Sequence, residues 1–221
     1  MYREILSEEE LTVLSTSTKH DSGVSCSPAD SLESSSTIEH KALAELHDGF
    51  ATRLAEAFGK IANREVHCRL RKTVRATFGQ FIFAQTIPTC CAVVRAEPIQ
   101  LEFYLAIQPT VLYPMMDRML GARSVEPSPQ RPMTEIERTV AMLIINELLT
   151  RYSRALQHAL SLEFSVDRLE HNAQQLDGLP GGEPTYLAAY DLRCNSDYGR
   201  LSICLPWRTT QKIRERLAAD Q

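Results

Sequence analysis

The chain has 221 residues, 43% of them hydrophobic, with 24 Lys and Arg against 28 Asp and Glu, and a net charge of −4. That is length enough for one sizeable domain with a tail, or for two small domains. The acidic balance argues against a nucleic-acid binder, which carries a basic excess, and no apolar run approaches the roughly 18–20 residues that span a bilayer. Met1-Tyr2-Arg3-Glu4 opens no apolar signal segment. Cys26, Cys68, Cys90, Cys91, Cys194 and Cys204 form no C-x-x-C pair. They read as free thiols of a reducing compartment, with no metal or cofactor expected.

Ser7 and Glu10 have the spacing of a capping box, and Ile5, Leu6, Leu11 and Leu14 mark an apolar stripe. Residues 1–14 therefore read as one short acidic amphipathic helix, marginal alone in water and suited to folding on docking. Residues 15–38 are Ser-rich with few apolar side chains, which predicts a disordered linker acting as a tether. The folded region is expected over 39–221.

A first helix is predicted from about Glu39 to Ala62, with Leu43, Leu46, Phe50, Leu54, Phe58 and Ile61 at helical spacing. A long strand follows, Val66, Cys68, Leu70, Val74, Ala76 and Phe78 facing one way and His67, Arg69, Arg71, Thr73 and Arg75 the other. That basic stripe suits a phosphate surface or, more simply, a solvated sheet face. A turn and short helical piece at 77–82 lead to strands at 90–96 and 101–107, the second alternating Leu101, Phe103, Leu105 and Ile107 with Glu102, Tyr104 and Ala106. Adjacent Cys90 and Cys91 would point to opposite faces. Pro109 suits the first turn of a helix running to Gly121, its expected C-cap, with Val111, Leu112, Met115, Met116, Met119 and Leu120 on one apolar face. Pro114 predicts a kink there or a start after it.

A proline-rich connection precedes a second series. Thr134 and Glu137 frame a capping box for a helix to about His158, whose stripe is Ile136, Val140, Leu143, Ile144, Leu148, Tyr152 and Leu156. Strands are predicted at 162–166, 185–193 and 200–205, then a helix at 207–218. Pro109 and Pro206 each end a strand and precede a helix, 97 positions apart (206 − 109 = 97). The chain thus reads as α+β, a pseudo-twofold αβββα repeat whose halves share one continuous sheet under long helices. No nucleophile elbow, Walker loop or dinucleotide fingerprint is present.

Several stretches together carry a resemblance: Ile5-Leu6-Ser7 and its acidic run, Thr77-Phe78-Gly79-Gln80-Phe81-Ile82, Leu105 to Pro109, Asp117 to Gly121, Met133 to Arg138, Leu162-Glu163-Phe164, Glu170-His171-Asn172 and Ser202 to Pro206. In this order and spacing they resemble the flagellar motor switch family FliM. The resemblance implies a CheC-like middle domain over 39–221 and a non-enzymatic role in the cytoplasmic C-ring rotor. That rotor lies at the basal body, peripheral to the inner membrane, and sets rotation direction in chemotaxis. It implies binding of phosphorylated CheY by Ile5, Leu6, Ser7, Glu10, Leu11 and Leu14, and of FliG by a loop matched here by Gly121, Ala122, Arg123 and Ser124. Neighbouring copies would be further partners. The family loop reads Gly-Gly-x-Gly, and only its first glycine stands here. The family continues into a FliN-binding domain, whereas this chain stops at Gln221, so FliN is set aside as a partner. Two alternatives are a CheC-like phosphatase of phosphorylated CheY and a degenerate paralogue in another complex. The phosphatase motif Glu-x-x-Asn occurs nowhere in the chain.

Overall fold

The computed structural model describes residues 28–98, 100–122, 128–129, 131–156, 162–194 and 197–219. Its elements are α1 (Pro28–Ala62), β1 (Val66–Thr77), α2 (Phe78–Phe83), β2 (Cys90–Glu97), β3 (Leu101–Ile107), α3 (Pro109–Met119), α4 (Glu135–Leu156), β4 (Glu163–Glu170), a 3-10 turn (Ala173–Gln175), β5 (Pro184–Cys194), β6 (Asp197–Pro206) and α5 (Trp207–Ala219). The compact unit is Glu39–Gln221. Ahead of it, residues 28–38 are helical, so α1 opens inside the segment expected as linker. Pro28 fits a first helical position, where a missing N–H is no loss.

One antiparallel sheet has the order β1-β5-β6-β3-β2-β4. Exchanging β1, β2, β3 for β4, β5, β6 reverses that order and leaves it unchanged, so the expected twofold αβββα repeat is present. Register gives its offset. Val94 pairs with Val166 as Tyr190 pairs with Leu70, and 190 − 94 and 166 − 70 are both 96. Ala92 pairs with Leu105 as Ala188 pairs with Ile203, and 203 − 105 is 98. The two prolines are therefore not equivalent. Pro109 opens α3, and its counterpart is Trp207, the first residue of α5; Pro206 closes β6.

Each edge strand carries a bulge at the same place, skipping Arg71 in β1 and Asp167 in β4. An extra residue turns every later side chain to the opposite face. Thus Val74, expected on the core side, is 39% exposed on the far side, and Thr73 and Arg75 move to the helix side. The basic stripe is split: Arg75 lies 4.7 Å over the ring of Trp207, apart from His67 and Arg69.

Long helices cover one face of the sheet. Phe50, Leu54 and Phe58 of α1, Ile144, Leu148 and Tyr152 of α4, Leu112 and Met116 of α3 and Ile213 of α5 form a single core with Ala92, Val94, Phe103, Leu105, Tyr190 and Ile203. The α4 stripe is rotated from the sequence expectation. Ala141, Ile145 and Leu149 join the core, while Ile136 and Leu143 are 74% and 55% exposed. The continuous apolar run at 140–145 allows either face, and the sheet selects one. On the other face a smaller cluster gathers Phe78, Phe81, Cys91, Val93, Tyr104, Leu176 and Cys204. Cys90 and Cys91 are split between the two faces as expected.

Candidate functional site

The candidate docking surface is the tip of α3. Its helix is anchored by buried Val111, Leu112, Met115 and Met116 and runs unbroken through Pro114. Proline there removes one hydrogen bond to the Thr110 carbonyl. Burial of the following turn holds the helix together, so the expected start after Pro114 does not occur. At the C-terminus the Gly121 N–H donates to Arg118 O at 3.0 Å and the Ala122 N–H to Asp117 O at 2.8 Å. Gly121 has φ +87°. This is the Schellman arrangement, with the cap at Leu120 and the glycine in the left-handed position that needs no Cβ. The Arg118 guanidinium donates to Ala122 O at 3.1 Å and ties the turn back onto the helix.

The tip is apolar. Leu120 is 68% exposed, Met119 is partly exposed, and a Cβ on Gly121 would meet nothing within 4 Å. Of the four residues expected to bind FliG, Gly121 and Ala122 stand at this tip, and Arg123 and Ser124 lie outside the described residues. Leu120 and Met119 were missed because helical spacing assigns them to the buried face. Ile5, Leu6, Ser7, Glu10, Leu11 and Leu14, expected to bind CheY, also lie outside the described residues.

A hydrogen-bonded corner precedes α4. The Arg131 guanidinium donates to both Glu137 carboxylate oxygens at 2.8 and 2.9 Å. Glu137 accepts the Thr134 N–H at 2.6 Å, and its own N–H donates to the Thr134 hydroxyl at 3.3 Å, closing the predicted capping box. The Arg131 hydrogen bond, with the Thr134 donors, holds the Glu137 carboxyl down at about 2.

Reactive groups are muted elsewhere. Burial pushes the thiols of Cys68, Cys90, Cys91 and Cys204 up to about 12, where a thiolate nucleophile is scarce. Among the described residues no three His, Cys, Asp or Glu side chains gather as metal ligands, and no helix is long and apolar enough to cross a membrane.

The family profile described as flagellar motor switch protein FliM matches residues 36–221. The FliM of Treponema pallidum is 22% identical over 180 residues, 81% of this chain and 52% of that protein. That of Caulobacter vibrioides is 27% identical over 143 residues, 63% of this chain and 38% of its own. The chain spans about half the length of the first of these relatives. In solved structures, the Helicobacter pylori FliM middle domain aligns with TM-score 0.74 at 20% identity, covering 81% of this chain and 98% of that one. A chain of the H. pylori FliG-FliM complex aligns with TM-score 0.77 at 20% identity, covering 80% and 98%.

Proposed function

The chain belongs to the flagellar motor switch protein FliM family, and on that premise we propose that it serves as a non-enzymatic component of the flagellar switch, docking FliG through the tip of α3. The observation that carries this reading is the tip itself. Solvent-facing Leu120, beside a left-handed Gly121, projects from a helix locked into the core of a fold shared with the H. pylori FliG-FliM complex. An apolar side chain on a rigid mount binds with little ordering cost.

The finer parts of the proposal follow from the family. The Ile5–Leu14 segment takes phosphorylated CheY, and residues between it and the domain act as a tether that raises the local CheY concentration. CheY binding then biases a ring of neighbouring copies between two rotational states through a coupling free energy. The protein would work in the C-ring at the basal body, on the cytoplasmic face of the inner membrane.

The test is calorimetric titration of the full chain with the FliG middle domain of the same organism. Micromolar binding, about −8 kcal/mol, that weakens on Leu120→Asp and on Arg123→Glu is the expected result. Undiminished binding by Leu120→Asp would remove the α3 tip from the interface, and no binding by the unaltered chain would remove FliG as the partner.

A further inference from the structure

The two halves of the sheet differ in what lies over the face opposite the long helices. In the second half the connection after β4 folds back as a strap. Leu176 is buried in one cluster with Cys91, Val93 and Tyr104, and Leu179 packs against it. Asp177 accepts from Arg168 of β4 at 2.5 Å. Gly178 lies so near the floor that a Cβ there would stand 2.2 Å from the Tyr104 hydroxyl and 2.7 Å from a Glu102 carboxylate oxygen.

The matching floor in the first half is uncovered. By register, Lys72 corresponds to Arg168, Leu187 to Cys91 and Ala189 to Val93, each at the 96 offset (168 − 72, 187 − 91 and 189 − 93). Arg200 corresponds to Glu102 and Ser202 to Tyr104, each at the 98 offset (200 − 102 and 202 − 104). These same five residues line a groove of about 420 Å³, with Val74, Gln80 and Phe81 along its sides. Lys72 is exposed and makes no ion pair among the described residues. Beside it a single carboxylate, Asp191, is shared by Arg69, Arg71 and Arg200 at 3.6, 3.7 and 3.9 Å, which leaves the groove's edge positive.

We propose that this groove is a peptide-binding site that takes an acidic, leucine-bearing segment of a partner protein, as the second half takes its own Leu176-Asp177-Gly178-Leu179. The acid meets Lys72 as Asp177 meets Arg168. The leucines settle over Val74, Phe81, Leu187 and Ala189. Arg200, standing where the covered half has Glu102, selects a second acid, and the positive excess of three arginines over one carboxylate steers it in. The site uses no residue of the α3 tip and does not depend on FliG docking.

The probe is a fluorescein-labelled peptide of the chain's own strap, residues 172–182, titrated with the full-length chain and read by anisotropy. Saturable binding is expected, weakened about tenfold, the size of one lost charge-assisted contact, by Lys72→Glu and equally by a peptide with Asn in place of its aspartate. Lys60→Glu, an equal charge change at an exposed position of α1, should leave binding unchanged. Absence of saturable binding, or the same loss in Lys60→Glu as in Lys72→Glu, overturns the proposal. Binding that appears only after residues 1–27 are removed reassigns the groove to the chain's own N-terminal segment. Self-association abolished by Lys72→Glu reassigns it to a second copy. Either result overturns the partner assignment.

Discussion

The Nδ1 of His47 lies 2.5 Å from the hydroxyl of Tyr190, joining α1 to β5 across 143 positions of sequence. The imidazole is fully buried, stacked on Tyr186 with ring centroids 5.6 Å apart and tilted against Tyr152 at 5.9 Å, and its Nε2 has no hydrogen-bond partner. A charge there would be unsolvated. Burial accordingly holds the His47 pKa down at about 3, against 6.5 for a free imidazole.

This makes stability pH-dependent in a known direction. Between about 3 and 6.5 the unfolded chain binds a proton at His47 that the folded chain refuses. Stability is therefore complete above 6.5 and falls as the pH drops toward 3, with a slope approaching ~1.4 kcal/mol per pH unit from this group. Burial raises the pKa values of the facing hydroxyls, Tyr152, Tyr186 and Tyr190, which stay neutral throughout this window. Glu137, lowered from 4.5 to about 2, adds its own loss only below 4.5. His47→Phe should flatten the slope between pH 6.5 and 4.5 in urea titrations. At pH 7.5 it should cost about 1–3 kcal/mol by leaving the Tyr190 hydroxyl unpaired. An unchanged slope would show that another group carries the acid sensitivity.

Ile136 separates helical periodicity from packing. Read as part of the α4 stripe, its replacement by Ser should cost several kcal/mol. At 74% exposure, Ile136→Ser should change the unfolding free energy by no more than about 0.5 kcal/mol. Ile144→Ala, fully buried one face away, should cost about 2–5 kcal/mol. Chemical denaturation of the two variants side by side gives the comparison.

The capping box of α4 is measurable by itself. Thr134→Ala removes the hydroxyl that accepts the Glu137 N–H and should destabilise the protein by about 1 kcal/mol. Thr134→Ser should recover most of that, because the acceptor is retained. A loss shared by both variants would point to the methyl group instead.

Gly178 tests the strap. Gly178→Ala places a methyl against the Tyr104 hydroxyl and the Glu102 carboxylate, and these two are already hydrogen-bonded to each other at 2.5 Å. The expected cost is about 1–3 kcal/mol, with faster amide exchange at Leu176 and Leu179 than in the parent. Gly182→Ala, with open space around its Cβ, should be close to neutral.

Much of the architecture was legible because its signals are local. The alternation of Leu101 to Ile107, the Thr134-Glu137 box and the glycine after Leu120 each depend on a few adjacent residues, and each stands where its pattern placed it. The repeat was visible for the same reason, as two like runs of elements. The candidate site was half legible. Gly121 announced the turn, but Leu120 and Met119 looked like core because a stripe three and four residues apart does not say where its helix leaves the sheet.

By itself the sequence determined the kind of each element, their order and the duplication, since hydrophobic period, capping and turn chemistry are properties of neighbouring residues. The tertiary structure alone decided the faces and the offsets. A bulge exists only relative to a partner strand, so the skip at Arg71 and the exposure of Val74 required β5 to be in register beside β1. The difference between Lys72 and Arg168 was decided the same way. Their chemistry is alike and their strands are equivalent, but only the packed chain lays Asp177 across one and leaves the other facing an open groove.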